Sequence, residues 1–179
     1  MEQNENLKDI FGSLDKLLGE TDLKDVTAES AGFAELPEGY YLSEVEKAEL
    51  KVSKSSHQPM VAFQMKIVED GKGVDENGDL FNIKGSKNRK IFMYYTLKND
   101  SSVKRFVTDM LKFEGEEPGK SILEKECFTT SELLEDALEI LIGMRIFVQV
   151  SVTENDDGSK STWQNLISWK RAANLELCE

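Results

Sequence analysis

The chain has 179 residues, with 34 Asp and Glu against 22 Lys and Arg and 39% hydrophobic residues; this is one domain's worth of sequence, and its nine Phe, four Tyr and two Trp supply enough large core pieces to exclude full disorder. No stretch reaches the ~18 apolar residues of a membrane span, and residues 1–8 lack the basic start and apolar run of a signal peptide, so an intracellular protein with no membrane partner is expected. Two distant cysteines, Cys127 and Cys178, and the lone histidine His57 exclude a disulfide framework and a zinc site.

Leu7, Ile10, Phe11, Leu14, Leu17 and Leu18 recur at three- and four-residue spacing before Gly19, which predicts an amphipathic N-terminal helix. Residues 20–38 lose that period and carry Gly32 and Pro37, as a linker does. The chain therefore divides into residues 1–38, an N-terminal helix with an acidic linker, residues 39–172, the main domain, and residues 173–179, a short tail. Residues 40–52 alternate imperfectly, with a slip between Leu42 and Val45 that suggests a bulge in a long bent strand. After a polar turn at 53–59, residues 60–68 alternate with a period of two, placing Val61, Phe63, Met65 and Ile67 on one face and Ala62, Gln64 and Lys66 on the other. Residues 69–88 read as a long, flexible connection. In the third strand, 89–97, Ile91, Met93 and Tyr95 alternate with Lys90, Phe92 and Tyr94.

Two helices follow. One begins near Asp100 or Ser101 and carries Val103, Phe106, Val107, Met110 and Leu111 on a stripe; the other has a capping box at Thr129 and Glu132 and ends at Gly143. Residues 145–152 and 161–169 form two closing strands around a turn at 155–158. The order strand, strand, strand, helix, strand, strand, with a bent first strand, predicts a mainly β fold: a five-stranded OB-fold barrel with helices between strands three and four.

Catalytic chemistry has no foothold in the sequence, so no enzyme and no cofactor is expected. His57 sits in a polar turn away from any nucleophile elbow, and Gly71, Gly73 and Gly78 neither open a helix nor precede a Lys-Ser/Thr pair. Asp75, Asn77 and Asp79 imitate a calcium loop, but the glycine arrives early, at Gly78, and the twelfth position is Ser86.

What remains is a binding surface. Net charge is segregated: residues 1–38 carry three Lys and ten acids, residues 107–143 three bases and ten acids, whereas residues 84–105 carry seven bases and the single acid Asp100. Salt screens charge over about 8 Å, so a basic strip can attract a polyanion despite an acidic whole. Non-specific binding of single-stranded nucleic acid needs cations along the phosphates and aromatic faces for the bases. Lys90, Phe92 and Tyr94 share one face of the third strand, Lys66 lies beside them, Lys87 and Arg89 fall in the basic window, Lys51 and Lys54 flank the first turn, and Lys160 and Trp163 lie near the last. These ten residues are the candidate nucleic-acid contacts. The bland reading is that Phe92, Tyr94 and Trp163 cover the closed side of a small barrel, and for any one of them alone it is the better one.

The run GYYLSEVEKAELKVSKSSHQPMVAFQMKIVEDG, followed by RKIFMYYTL, SVKRFVTDMLKFEG, LIGMRIFVQVSV and a DDG turn, resembles a phage-encoded family regarded as single-stranded-DNA-binding or recombination-associated. The similarity extends over about residues 32–172. It implies an OB-like barrel, work in phage DNA replication or recombination in the cytoplasm of a bacterial host, and no catalysis. Many single-strand-binding proteins end in a long acidic tail, whereas residues 174–179 are short and hold Leu175, Leu177 and Cys178. The N-terminal helix could take over partner recruitment, its apolar face meeting replication or recombination proteins, its own barrel or another copy of the chain. A rival reading makes the protein an acidic phage factor that inhibits or recruits a host protein through its carboxylates.

Overall fold

From Gly39 onward, alternating apolar residues build one antiparallel sheet of seven strands in the computed structural model of the chain, which describes Asp15 and residues 35–178. The strands are β1 (Gly39–Val52), β2 (Pro59–Ile67), β3 (Gly71–Val74), β4 (Leu80–Ile83), β5 (Lys90–Thr96), β6 (Arg145–Glu154) and β7 (Lys160–Ile167). Between β5 and β6 lie α1 (Asp100–Met110), a 3-10 turn (Lys125–Phe128) and α2 (Ser131–Leu141), and α3 (Trp169–Asn174) follows β7. Of the expected N-terminal helix only Asp15 is described, and it is helical; the remainder lies outside the described residues. Among the described residues no helix is long and apolar enough to cross a membrane.

β1 organises the sheet. Residues 39–44 pair with β6 along one edge, residues 43–52 pair with β2 along the other, and Tyr40 also meets Lys72 of β3. The register with β2 shifts between Val45 and Lys47, so the bulge falls at Glu46, slightly later than the sequence slip at 42–45 suggests. The bulge coincides with the point where β1 leaves β6. There Val45 N donates to Met144 O at 2.9 Å and Gly143 N donates to Val45 O at 2.8 Å, so the turn after α2 takes over the backbone groups that β6 no longer reaches. Gly143, at φ 85, supplies the left-handed conformation that ends the helix.

The inward positions of the strands meet α1 and α2 in one core. Phe63 packs edge-on against Tyr95 (centroids 6.0 Å apart), Tyr95 against Phe106 of α1 (5.3 Å), and Phe106 against Phe128 (6.0 Å). Leu134, Ala137, Leu138 and Leu141 of α2 are buried, while Leu133 and Ile142 are exposed. α2 is capped by Thr130, whose side chain accepts from Leu133 N at 3.2 Å, one residue later than the Thr129 expected from the sequence.

Three expectations are corrected. The sheet is not a closed five-stranded barrel: it has seven strands, and among the described residues β5 and β7 are edges with no ladder between them. A side-chain strut spans the gap instead. Tyr95 Oη donates to Asp109 Oδ2 at 2.9 Å, and Lys112 Nζ donates both to Asp109 Oδ1 at 2.6 Å and to Leu166 O of β7 at 2.9 Å. Asp109 is buried, and the two donors satisfy the charge that burial would otherwise penalise. Burial and the neighbouring carboxylate push the Tyr95 hydroxyl well above the ordinary tyrosine range.

The second correction concerns residues 69–88, which hold the β3–β4 hairpin rather than a featureless connection. Phe81 lies across Gly73, where a Cβ would come within 2.4 Å of the ring, so the aromatic covers the bare backbone of its cross-strand partner. The calcium-like triplet is the hairpin turn: Asp75 Oδ1 accepts from Asn77 N at 2.8 Å and Asp79 N at 2.9 Å. Third, the second closing strand stops at Ile167. Residues 169–174 are helical, and Ala172 and Leu177 are buried with Phe147 and Ile167 in a second small core, so the C-terminal residues pack onto the sheet.

Candidate nucleic-acid interface

Period-two alternation in β5 puts Ile91, Met93 and Tyr95 in the core and turns Lys90, Phe92 and Tyr94 outward. Phe92 is 50% exposed and Tyr94 59%, on successive outward positions that the strand rise separates by about 6.6 Å. Such exposure of two large rings side by side is unusual for a strand whose other face fills the core. Antiparallel register with β2 sets Gln64 beside Phe92 and Ala62 beside Tyr94, and β1 adds Lys47 and Glu49 in the same two rows. The small Ala62 leaves the Tyr94 ring uncovered, and Lys51 Nζ lies 5.9 Å from its centroid, within cation–π range.

At the other end of the platform the register brings cations face to face. Lys66 and Lys90 are direct cross-strand partners, and Glu44 stands beside Lys66 on β1. Like charges in such positions repel, and acids relieve them. Glu46, displaced by the bulge, forms an ion pair with Lys90 and accepts from Gln64 Nε2 at 2.9 Å, while Glu44 pairs with Arg145 at 3.1 Å. The hydrogen bonds from Lys90 and Gln64 hold the Glu46 carboxyl below the usual glutamate range. Lys90 is therefore partly neutralised, whereas Lys51 has an aromatic ring as its neighbour.

The remaining candidates are distributed around this centre. Lys54 is exposed in the turn between β1 and β2, where His57 also lies at the surface. Lys87 is exposed ahead of β5, its backbone N–H donating to Asp70 Oδ1 at 3.1 Å. Arg89, half-buried, carries charge close enough to Tyr41 to oppose the rise in that hydroxyl's pKa, which burial pushes up to about 12. Lys160 is exposed at the start of β7 opposite Glu154. Trp163 is 54% exposed and its Nε1 donates to Thr153 Oγ1 at 3.0 Å.

Trp163 and Tyr94 line the same cleft, of about 260 Å³, at the unpaired seam between β5 and β7. Arg105 of α1 lines it too, a residue that the sequence marks only as part of the basic window and that the fold brings to the seam. Lys47 is the second omission. Locating the bulge at Glu46 from the three-residue step between the inward Val45 and Ala48 would have placed Lys47 outward, beside Gln64. The basic window itself is not one strip: residues 84–90 lie at one end of β5 and residues 98–105 at the other, with Phe92 and Tyr94 between, and Lys104 pairs with Asp100 at 2.7 Å.

No group of three or more metal-ligating side chains occurs among the described residues. Residues 22–175 match the profile of a family described as a protein of unknown function (DUF669). No curated protein matches the chain.

Proposed function

The chain belongs to the DUF669 family, and we propose that it binds single-stranded DNA on the outward face of β1, β2 and β5. The observation that carries this reading is the pair Phe92 and Tyr94, at least half exposed on one strand face with Lys51 against the second ring. Rings in that setting contribute little to folding but offer stacking surfaces worth ~1–3 kcal/mol per base. Lys51 and Lys54 on one rim, Lys66 and Lys90 at one end and Lys160 on the far hairpin give phosphates a track across it. The order of β1, β2, β5, β6 and β7, with helices between β5 and β6, supports an OB-type reading, on which the β1–β2 and β6–β7 turns would flank the ligand groove. With the phage-type resemblance of the sequence, this suggests a role in replication or recombination.

Fluorescence anisotropy of labelled single-stranded and duplex oligonucleotides, at low salt and then through a salt titration, tests the proposal. The expected result is preferential binding of the single strand with an affinity that falls linearly in log[salt], ~0.7 per phosphate neutralised. Absence of any binding at low salt overturns it. The rival, an acidic protein-binding factor, draws support from α2, whose Glu132, Glu135, Asp136 and Glu139 are all exposed. That reading expects binding of neither nucleic acid.

A further inference from the structure

The seam between β5 and β7 is a site in its own right. Leu97 N donates to Pro59 O at 2.8 Å, which fixes the odd-numbered residues of β5 as those whose backbone groups bond β2. Phe92, Tyr94 and Thr96 consequently turn their N–H and C=O groups to the other side, the edge no strand covers among the described residues. An uncovered edge this close to a second strand is normally paired or blunted. Here the Tyr95, Asp109 and Lys112 strut ties β5 to Leu166 of β7 through α1 and holds the two strands in place without a ladder. The resulting cleft of about 260 Å³ is lined by the aromatic residues Tyr94, Tyr95 and Trp163, by Arg105 of α1, and by the polar residues Thr162 and Gln164 of β7.

We infer that this cleft is a nucleobase pocket: one base of a bound strand enters the seam, hydrogen-bonds through its edge to the outward backbone groups of β5 and lies against Trp163, while Arg105 meets the adjoining phosphate. The inference rests on the single-strand reading above and adds to it a place where one nucleotide is held differently from the rest. Size favours a single heterocycle, since pockets for drug-sized ligands start at ~300 Å³. An aromatic wall recognises the π-face of any base, and N–H and C=O groups side by side on a strand edge complement the mixed donors and acceptors of a base edge. Arg, with its planar fork, suits a phosphate at the mouth.

Trp163 makes the pocket observable, because a base against it quenches its fluorescence, and Trp169→Phe removes the other indole. In that background, full-length protein titrated with an oligothymidylate of ~16 nucleotides, the upper end of one such module's site size, should show quenching. Thr162→Phe, which places a ring at the cleft from an exposed position, should abolish the quench and weaken binding by roughly tenfold, about 1.4 kcal/mol. Arg105→Ala should weaken binding with a shallower salt dependence, and Phe92→Ala should weaken binding but keep the quench. If oligothymidylate binds and both Thr162→Phe and Arg105→Ala leave affinity and quench unchanged, the pocket is overturned while the single-strand reading survives. If the unsubstituted protein binds no oligonucleotide, the single-strand reading fails and takes the pocket with it.

Discussion

Two outward faces of the same sheet carry large aromatic residues by the same period-two rule, and they meet opposite fates. On β5, Phe92 and Tyr94 are exposed; on β6, Phe147 is 3% exposed, beneath Trp169, with ring centroids 5.3 Å apart, and beside Ala172 and Leu177. The difference lies in what the chain does later. The C-terminal residues return over β6 and β7, with Trp169 Nε1 donating to Arg145 O at 3.0 Å and Lys72 Nζ to Leu177 O at 3.3 Å, whereas no described element returns over the outward face of β2 and β5. An outward aromatic is thus a binding candidate only where the rest of the fold leaves it uncovered.

The largest effect expected from this contrast is on stability. Phe147→Ala should cost ~3–5 kcal/mol of folding free energy, as truncation of a buried ring does, and leave the intrinsic affinity for oligonucleotide intact. Phe92→Ala should do the reverse, staying within about 0.5 kcal/mol of the parent in urea denaturation. Next in size is binding itself: Phe92→Ala and Tyr94→Ala should each lose ~1–3 kcal/mol of single-strand affinity. Equal destabilisation by Phe92→Ala and Phe147→Ala would erase the distinction between the two faces.

A third expectation sharpens it at the seam. Tyr95→Phe removes one donor to the buried Asp109 and should cost ~1–3 kcal/mol. Because burial and Asp109 raise the Tyr95 pKa above its ordinary value of 10.0, the folded state favours the protonated phenol. The stability this confers is complete below that ordinary value and is lost as pH rises above it. Alkaline denaturation of the parent should therefore fall more steeply with pH than that of Tyr95→Phe; identical slopes would show that the strut does not depend on the phenol's proton.

Much of the sheet geometry was legible because it follows from local pattern. The alternation in β2 and β5 groups Phe63 with Met65 and Ile91 with Met93 on single faces, and the structure settles which face is inward by burying all four. The failures have non-local causes. Alternation in β5 says nothing of whether its edge finds β7; that depends on α1, whose Asp109 looks like any helix-surface acid until Tyr95 and Lys112 enclose it. The β3–β4 hairpin was hidden because its strands are four residues each and two of the four in β3 are glycine, so no period emerges. Phe147 and Leu177 lie 30 positions apart, beyond the reach of any window along the chain. Among the site residues, sequence located Phe92 and Tyr94 on one face, but the pairing of Lys90 with Glu46 required the bulge to be placed to the residue.

That pairing yields the smallest and most discriminating expectation. Glu46→Gln retains an acceptor for Gln64 and removes the charge that Lys90 now answers. The parent ion pair is partly exposed, with side chains 39% and 27% accessible, so its loss should cost no more than about 0.2–1 kcal/mol of stability. Lys90 would then be available to a phosphate, and single-strand affinity should rise, with the log–log salt slope steepening by ~0.7, the increment for one phosphate on a single strand. Acid should imitate the substitution. Glu46 has a depressed pKa, so its contribution to stability is present above the ordinary glutamate value and fades as pH falls through the depressed one. Over the same interval the affinity of the parent should climb toward that of Glu46→Gln, while the variant itself lacks this component. On the β6 side, Glu44→Gln disturbs the pair with Arg145 at 3.1 Å, next to the covered face, and because Glu44 is paired with Arg145 and only stands beside Lys66, it should raise affinity and salt slope by less than Glu46→Gln. Matching gains from the two substitutions would mean that strand binding senses only the overall charge and does not distinguish the open face from the covered one.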